Sequence, residues 1–406
     1  MTCAIDTWTL AQAGLAEADP AALRAWQLAR LAETLSRIQS HSRLQAPRLQ
    51  SFDGTLDSLP FSWPSEIAAD PLAFLCIPQG QVARATTVCT SGTTGPKKRI
   101  FFSQADLERT VSFFALGMAM LVEAGQEALI LMGADTEHSI ARLLQTAVGR
   151  LGARARIGDL AWGAEETLAA ARSAHCLVGL PAELLYLCRK DGALRPRTVL
   201  LSADYVPECV IKTLQERWGC RVFTHFGMTE TGFGCAVQCE AGEGHHVRHP
   251  ELLLEVVDPQ SGRPLRPGEP GELVVTTFAQ EAMPLLRYRT GDRARLVADP
   301  CPCGGTLPRL GRVEGRREND LPVGGGILSI HRLDARLFGM PQVRGFRASL
   351  DRSTSRPTLA LTVEAEAPVA IDTIVEALPP GLDLVLTYGE ASPLTTRGKR
   401  RIQELA

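Results

Sequence analysis

The residues with the most chemical content lie in short stretches far apart along the chain. Thr90, Ser91, Gly92, Thr93, Thr94 and Gly95 run into Pro96, Lys97 and Lys98. The two glycines let backbone N–H groups approach an anion unobstructed, the hydroxyls add donors, and either lysine adds charge, so the stretch suits a phosphate. The G-x-x-x-x-G-K-[ST] spacing of the common P-loop is absent. FGMTETG, Phe226 to Gly232, contains Thr229 and Glu230, and a carboxylate is the ligand a hard cation selects. RYRTGD ends on Asp292, whose two oxygens can accept from two hydroxyls at once. GRVEGRREND contains Arg312 and the pair Gly315-Arg316, and PLTTRGKRR places Lys399 in a basic run near the end.

A second constellation has metal-ligand character. CPCGG sets Cys301 and Cys303 two apart, with Cys239 and the pair His245-His246 upstream. Cys239, one histidine, Cys301 and Cys303 would make a closed tetrahedral zinc site with no position left for a substrate, and therefore a structural one.

A chain of 406 residues exceeds what one small core organises, so two domains are expected. A formal net charge of -2 gives no footprint for nucleic acid. The start, MTCAIDTWTLAQAGLAEADP, has acidic residues where a secretory signal needs a basic start and an apolar run. The apolar run Val111 to Val122 stops at Glu123, well short of the ~20 residues that span a bilayer, and is expected as a buried helix. Eleven cysteines, an odd number in a chain this long, predict reduced thiols and a cytoplasmic setting.

The elements that must carry these residues follow from apolar periodicity. A helix is expected from Ala21 to about Ser40, and an irregular stretch from Ala46 to Gly80. A strand at Ala85 to Cys89 opens a series: helix Gln104 to Glu123, strand Ala128 to Met132, helix Ile140 to Gly149, strand Cys176 to Gly179, a helix after Pro181, strand Thr198 to Ser202, helix Pro207 to Trp218 and strand Arg221 to Phe223. Such alternation predicts a mostly parallel sheet with ligands beyond the carboxyl ends of its strands. From Leu252 the texture becomes hairpin-like, giving an antiparallel or barrel-like part. Charge and three consecutive glycines after Gly315 predict an exposed hinge.

From about residue 85 onward the ordered motifs resemble the adenylate-forming, AMP-binding superfamily of acyl-CoA synthetases, and within it the phenylacetate-CoA ligase-like group. The resemblance implies an α/β fold: a large multi-layer N-terminal domain with parallel-rich sheets and a barrel-like subdomain, followed by a small α+β C-terminal domain. The expected divisions are 1–315, a hinge at 316–325, and a mobile domain at 326–406. It further implies ATP-dependent activation of a small carboxylic acid to an acyl-adenylate, with Mg²⁺, and then thioester formation with CoA. A carrier-protein phosphopantetheine is the alternative acceptor, and a non-catalytic adenylate binder the alternative to an enzyme.

Residue by residue, the resemblance implies that Thr90 to Gly95 hold the triphosphate with Lys97 or Lys98, and that Phe226 and Gly227 border the adenine. Thr229 would contact phosphate, Glu230 would ligate Mg²⁺, Asp292 would accept from the ribose, and Arg316 would touch the nucleotide ahead of Arg312. Lys399 would enter the site to stabilise the adenylation transition state. His175 or His225 could approach the acid, and Tyr205 and Glu208 lie in LSADYVPE, where Ala203-Asp204 departs from the usual Gly-Glu. Gly244-His245-His246-Val247 places His246 as the zinc ligand beside Cys239, Cys301 and Cys303.

Overall fold

The fold is that of a computed structural model, which describes residues 3–89, 97–159, 161–316, 319–389 and 400–405. The chain divides into two compact units. One is built from Met1–Met120, Thr136–Arg150 and His225–Glu314, the other from Leu121–Asp135, Leu151–Thr224 and Gly315–Ala406.

In the first unit the helix Pro20–His41 starts where Asp19 accepts from the Ala21 N–H at 2.9 Å and Pro20 takes the first turn, where no intrahelical donor is needed. Leu23, Leu31, Leu35 and Ile38 form its buried stripe. The stretch expected to be irregular contains short 3-10 turns and one helix, Pro64–Ala69.

The strand Arg84–Cys89 departs from expectation. It pairs antiparallel with Lys97–Phe102, Cys89 opposite Lys97, and so belongs to a hairpin rather than to the parallel sheet. The alternating burial of Lys97–Phe102 explains why: Lys97 and Arg99 face out while Lys98 and Ile100 face in, the period-two pattern of a strand with one wet face. The helix Gln104–Met118 follows, opened by a capping box in which Ser103 Oγ accepts from Asp106 N at 3.1 Å and Asp106 Oδ2 accepts from Ser103 N at 2.9 Å. It stops at Met118, short of the Glu123 expected from the apolar run; Leu121 and Val122 are buried without being helical.

The hairpin texture after Leu252 becomes a three-stranded antiparallel sheet of Leu252–Val257, Gly271–Thr277 and Tyr288–Ala294. Two arginines are held inside it by glutamates on its own strands: Arg287 by Glu255 at 2.9 Å and Arg289 by Glu272 at 2.5 Å. Both pairs are buried, and fork-to-carboxylate geometry satisfies charges that would otherwise be costly there. A second antiparallel ladder links Ala236–Val237, His245–Val247, Arg309–Leu310 and Leu296–Val297, joined through Val237 and Ala236 to His225 and Phe226.

In the second unit the expected parallel sheet is present, in the order Arg154–Ile157, Glu127–Leu131, Cys176–Gly179, Thr198–Leu201 and Arg221–Phe226. Its edge strand Arg154–Ile157 and the helix Ala164–Ala171 were not legible beforehand. Arginines alternate along the strand, and the helix is a short alanine-rich run with little apolar contrast. The residues after Gly315 form the hairpin Asp320–Val323 with Gly326–Ser329, the helix Ile330–Gly339, and a four-stranded sheet ordered Asp383–Tyr388, Thr358–Ala365, Val343–Asp351 and Ile402–Leu405. Leu333, Leu337 and Phe338 of that helix belong to the same hydrophobic core as Leu184, Leu187, Val210 and Leu214. Arg189 donates to the Val343 carbonyl at 2.6 Å and to the Phe338 carbonyl at 2.5 Å within the same unit.

Candidate active site and candidate zinc centre

Three side chains from separate elements of the first unit converge. Lys98 points inward from Lys97–Phe102, Glu230 comes from the 3-10 turn Thr229–Thr231, and Tyr288 opens the strand Tyr288–Ala294. Lys98 Nζ donates to Glu230 Oε1 at 2.5 Å and to Tyr288 Oη at 2.9 Å, and Tyr288 Oη donates to the same Glu230 oxygen at 2.8 Å. The lysine and glutamate side chains are 5% and 4% exposed, so this pair is screened little by water. Burial pushes the Glu230 carboxyl toward protonation, but the Lys98 ammonium overrides it and holds the group below the usual carboxylate range.

The strand alternation explains the placement of Tyr288: Arg287 and Arg289, on either side, are each bound to a glutamate, leaving Tyr288 to face Glu230. The turn that carries Glu230 is fixed locally. Gln280 Nε2 donates to the Glu230 carbonyl at 3.0 Å, and the Thr231 hydroxyl donates to the Met228 carbonyl at 3.0 Å. Gly227 is required here, because a Cβ at this position would run into the carbonyl of Phe233.

The structure thus brings Lys98, rather than its exposed neighbour Lys97, to Glu230. Thr229, which opens that turn, and Phe226, which ends the strand Arg221–Phe226 before it, are half-buried. Asp292 is buried in the strand Tyr288–Ala294, its N–H donating to Thr290 Oγ1 at 3.0 Å. Arg316 is half-buried and Arg312 exposed. Thr90, Ser91, Gly92, Thr93, Thr94 and Gly95 lie between the two hairpin strands but outside the described residues, as does Lys399. His175 precedes the amino end of a parallel strand and is exposed, the opposite end from that at which ligands collect, whereas His225 sits toward a carboxyl end. Tyr288 and Gln280 are the members that sequence reasoning did not single out. The tyrosine lay inside RYRTGD, where its alternation with Arg287 and Arg289 along the chain was the available signal.

The second constellation also assembles. One donor atom from each of Cys239, His246, Cys301 and Cys303 lies within 4.8 Å of all the others. Cys239 Sγ is 3.6 Å from Cys301 Sγ, and Cys303 Sγ is 3.4 Å from His246 Nε2. A tetrahedral zinc with Zn–S of about 2.3 Å separates its sulfurs by about 3.8 Å, so these donors fit that ion. Burial raises the Cys239 thiol, but hydrogen bonds, first of all with His246, bring it down to about 6. Burial opposes protonation of His246, while Asp6, Cys239 and Cys3 raise its pKa. His245 is buried elsewhere and pushed down to about 4 by burial and by His225.

In the second unit Arg400, next to Lys399 in sequence, is bound from two sides. Its Nε donates to Asp334 Oδ1 at 2.7 Å and its Nη1 lies 3.2 Å from Asp204 Oδ2. The Asp204 that departs from the expected Gly-Glu is therefore an ion-pair partner, and the neighbouring Tyr205 ring lies 3.9 Å from that of His331.

The AMP-binding enzyme family model matches residues 32–279, more than half of the chain. The chain belongs to the AMP-binding enzyme family. Among this AMP-binding enzyme's relatives, a phenylacetate-coenzyme A ligase of Thermus thermophilus is 34% identical over 189 residues, 44% of this chain and 42% of the relative. One of Escherichia coli is 26% identical over 267 residues, 63% of this chain and 60% of the relative. The chain thus spans about two-fifths to three-fifths of the length of these curated relatives. The fold matches a crystal structure of 2-hydroxyisobutyryl-CoA ligase in the postadenylation state with a TM-score of 0.76 at 20% identity, covering 94% of this chain and 89% of the other. It also matches ATP-bound MatB from Rhodopseudomonas palustris with a TM-score of 0.58 at 17% identity, covering 80% and 68%. In this AMP-binding fold no described helix is long and apolar enough to cross a membrane.

Proposed function

We propose that this AMP-binding enzyme is an acid-thiol ligase: it uses ATP to convert a small carboxylic acid to an acyl-adenylate and passes the acyl group to CoA. The observation that carries the reading is the buried Lys98–Glu230–Tyr288 cluster, which sets one ammonium, one ionised carboxylate and one hydroxyl together at the start of the strand Lys97–Phe102, the strand that follows TSGTTG in the sequence. The names of the phenylacetate-coenzyme A ligases support CoA as acceptor and make aryl acids the first to test.

In the first half-reaction a carboxylate oxygen attacks the α-phosphorus of ATP and the bond to pyrophosphate breaks. Negative charge gathers on the leaving oxygens, and preorganised donors aimed there stabilise it. Thr90 to Gly95 supply hydroxyls and backbone N–H groups, and Lys98 supplies the cation in place of the exposed Lys97. Glu230, held ionised, is the oxygen ligand for Mg²⁺, which when bound neutralises phosphate charge. Asp292 accepts from the ribose, Phe226 and Gly227 border the base, Thr229 and Arg316 bind the phosphates, and Lys399 completes the site for adenylation. In the second half-reaction the CoA sulfur attacks the acyl carbon, a C–S bond forms, and AMP leaves. We assign residues 1–315 to adenylation, 316–325 to a hinge, and 326–406 to a part that reorients between the two steps.

Cys239, His246, Cys301 and Cys303 hold a structural zinc in this reading, supported by four converging donors of the right chemistry. A thiol-rich site of this kind works in a reducing compartment, and we place the protein in the cytoplasm.

Incubation with ATP, Mg²⁺, CoA and a panel of aryl and aliphatic acids tests the proposal. The expected result is AMP release matched one-for-one by loss of free thiol for at least one acid. AMP release without thiol loss would redirect the acceptor to a carrier protein, and no AMP with any acid would defeat the reading.

A further inference from the structure

The N-terminal helix Ala4–Ala13 carries Asp6 in its first turn, and Asp6 is buried. A carboxylate is withdrawn from water only where partners replace its solvation, and those of Asp6 are His246 and the backbone that follows the Cys301 to Gly305 turn. Asp6 Oδ1 lies 3.2 Å from His246 Nδ1. Asp6 Oδ2 accepts from the N–H groups of Thr306 at 2.8 Å and Leu307 at 3.1 Å, directly after the Cys301 to Gly305 turn. That turn is pressed against both partners: a Cβ on Gly305 would stand 2.7 Å from His246 Cε1 and 3.0 Å from Asp6 Oδ2.

An imidazole binds a metal through one nitrogen only if that nitrogen keeps its lone pair, and the hydrogen bond at the other nitrogen decides which one does. Nδ1 lies 3.2 Å from Asp6 Oδ1 and 3.4 Å from Cys3 Sγ, of which the carboxylate is the stronger acceptor for an N–H, and Nε2 is 3.4 Å from Cys303 Sγ. We propose that Asp6 is the positioning carboxylate of the zinc centre: it fixes His246 with its proton on Nδ1, so that Nε2 ligates, and clasps the Cys301–Cys303 turn, tying the N-terminal helix to metal binding. This rests on the zinc reading above and deepens it. Asp6 does not ligate; it acts through His246 and through the backbone of Thr306 and Leu307.

The test compares wild type, Asp6→Asn and, as a control on an exposed cap of the next helix, Asp19→Asn. Each is purified without chelator, and zinc affinity is measured by competition with a chromophoric chelator. Wild type and Asp19→Asn should bind about one zinc per chain with equal affinity, and Asp6→Asn should bind about tenfold to a hundredfold more weakly, the usual cost of losing such a partner. Replacing zinc by cobalt gives a spectroscopic readout that a general loss of stability would not move: the ligand-field bands of Asp6→Asn should shift from those of wild type. Absence of zinc from wild type would defeat the zinc reading itself. Zinc in wild type with unchanged affinity and unchanged cobalt bands in Asp6→Asn would overturn the role of Asp6 alone. Should Asp6→Asn fail to fold, amide exchange of wild type decides. Chelation should deprotect Ala4–Ala13 ahead of Pro20–His41, and equal protection of the first helix with and without zinc would overturn the inference.

Discussion

Lys98 and Glu230 form a buried ion pair, with the ammonium 2.5 Å from Oε1 and Tyr288 Oη 2.8 Å from the same oxygen. Removing one partner of such a pair strands the other charge, at a cost of about 3–5 kcal/mol. Lys98→Ala should therefore lower unfolding stability by roughly that amount, while Lys97→Ala, on the exposed face of the same strand, should stay within about 0.5 kcal/mol. Urea unfolding of the two variants side by side measures the difference, and equal effects would contradict the placement.

The acid dependence of the same pair has a definite sign. Because the folded Glu230 pKa lies below its ordinary value of 4.5, its stabilising contribution is complete above that pH and is lost as pH falls through the lower, folded value. The stability gap between wild type and Glu230→Gln should be flat from neutral pH down to about 4.5 and shrink below it. A gap that shrinks between pH 7 and 5 would mean that Glu230 is not held ionised by Lys98.

The role proposed for Lys399 separates the half-reactions. Lys399→Ala should depress acid-dependent adenylation by a factor on the order of 100 to 1,000, the range for removing one charge-stabilising donor. Transfer from preformed acyl-adenylate to CoA should be affected far less. Equal losses in single-turnover assays of the two steps would remove Lys399 from adenylation.

Arg400 is enclosed by Asp334 and Asp204, at 2.7 and 3.2 Å. Arg400→Ala leaves two buried carboxylates without their cation and should destabilise the chain by about 3–5 kcal/mol. Lysine should rescue it poorly, because a single ammonium cannot replace a planar fork reaching two acids. Thermal melts of Arg400→Ala and Arg400→Lys check this, and a wild-type melting temperature for either would contradict it.

Much of this was legible in the sequence because local patterns agreed with the global fold. Cys176–Gly179 is an apolar run bounded by turns, and Asp19-Pro20 announces its helix before any partner is known. The convergence of Cys239, His246, Cys301 and Cys303 was legible because few residue types have their chemistry. What escaped depended on pairing at a distance. Nothing local says that Arg84–Cys89 meets Lys97–Phe102 rather than a parallel neighbour, and that choice turns Lys98 inward and Lys97 outward. Asp6 reads as an ordinary first-turn acid until the Cys301 to Gly305 turn, remote in sequence, is folded over it. Asp204 looked like a departure from a motif, and only the folded chain supplies Arg400 as its partner.

The central claim is that the Lys98–Glu230 cluster serves ATP-dependent activation of a carboxylic acid. Isotopic pyrophosphate exchange into ATP, run without CoA across aryl and aliphatic acids on wild type and Glu230→Gln, tests it most directly. The account predicts exchange that requires an added acid and Mg²⁺ in wild type, and that falls by at least about 100-fold in Glu230→Gln. A wild-type chain that binds ATP yet shows no exchange with any acid, or a Glu230→Gln chain that exchanges as fast as wild type, would contradict it.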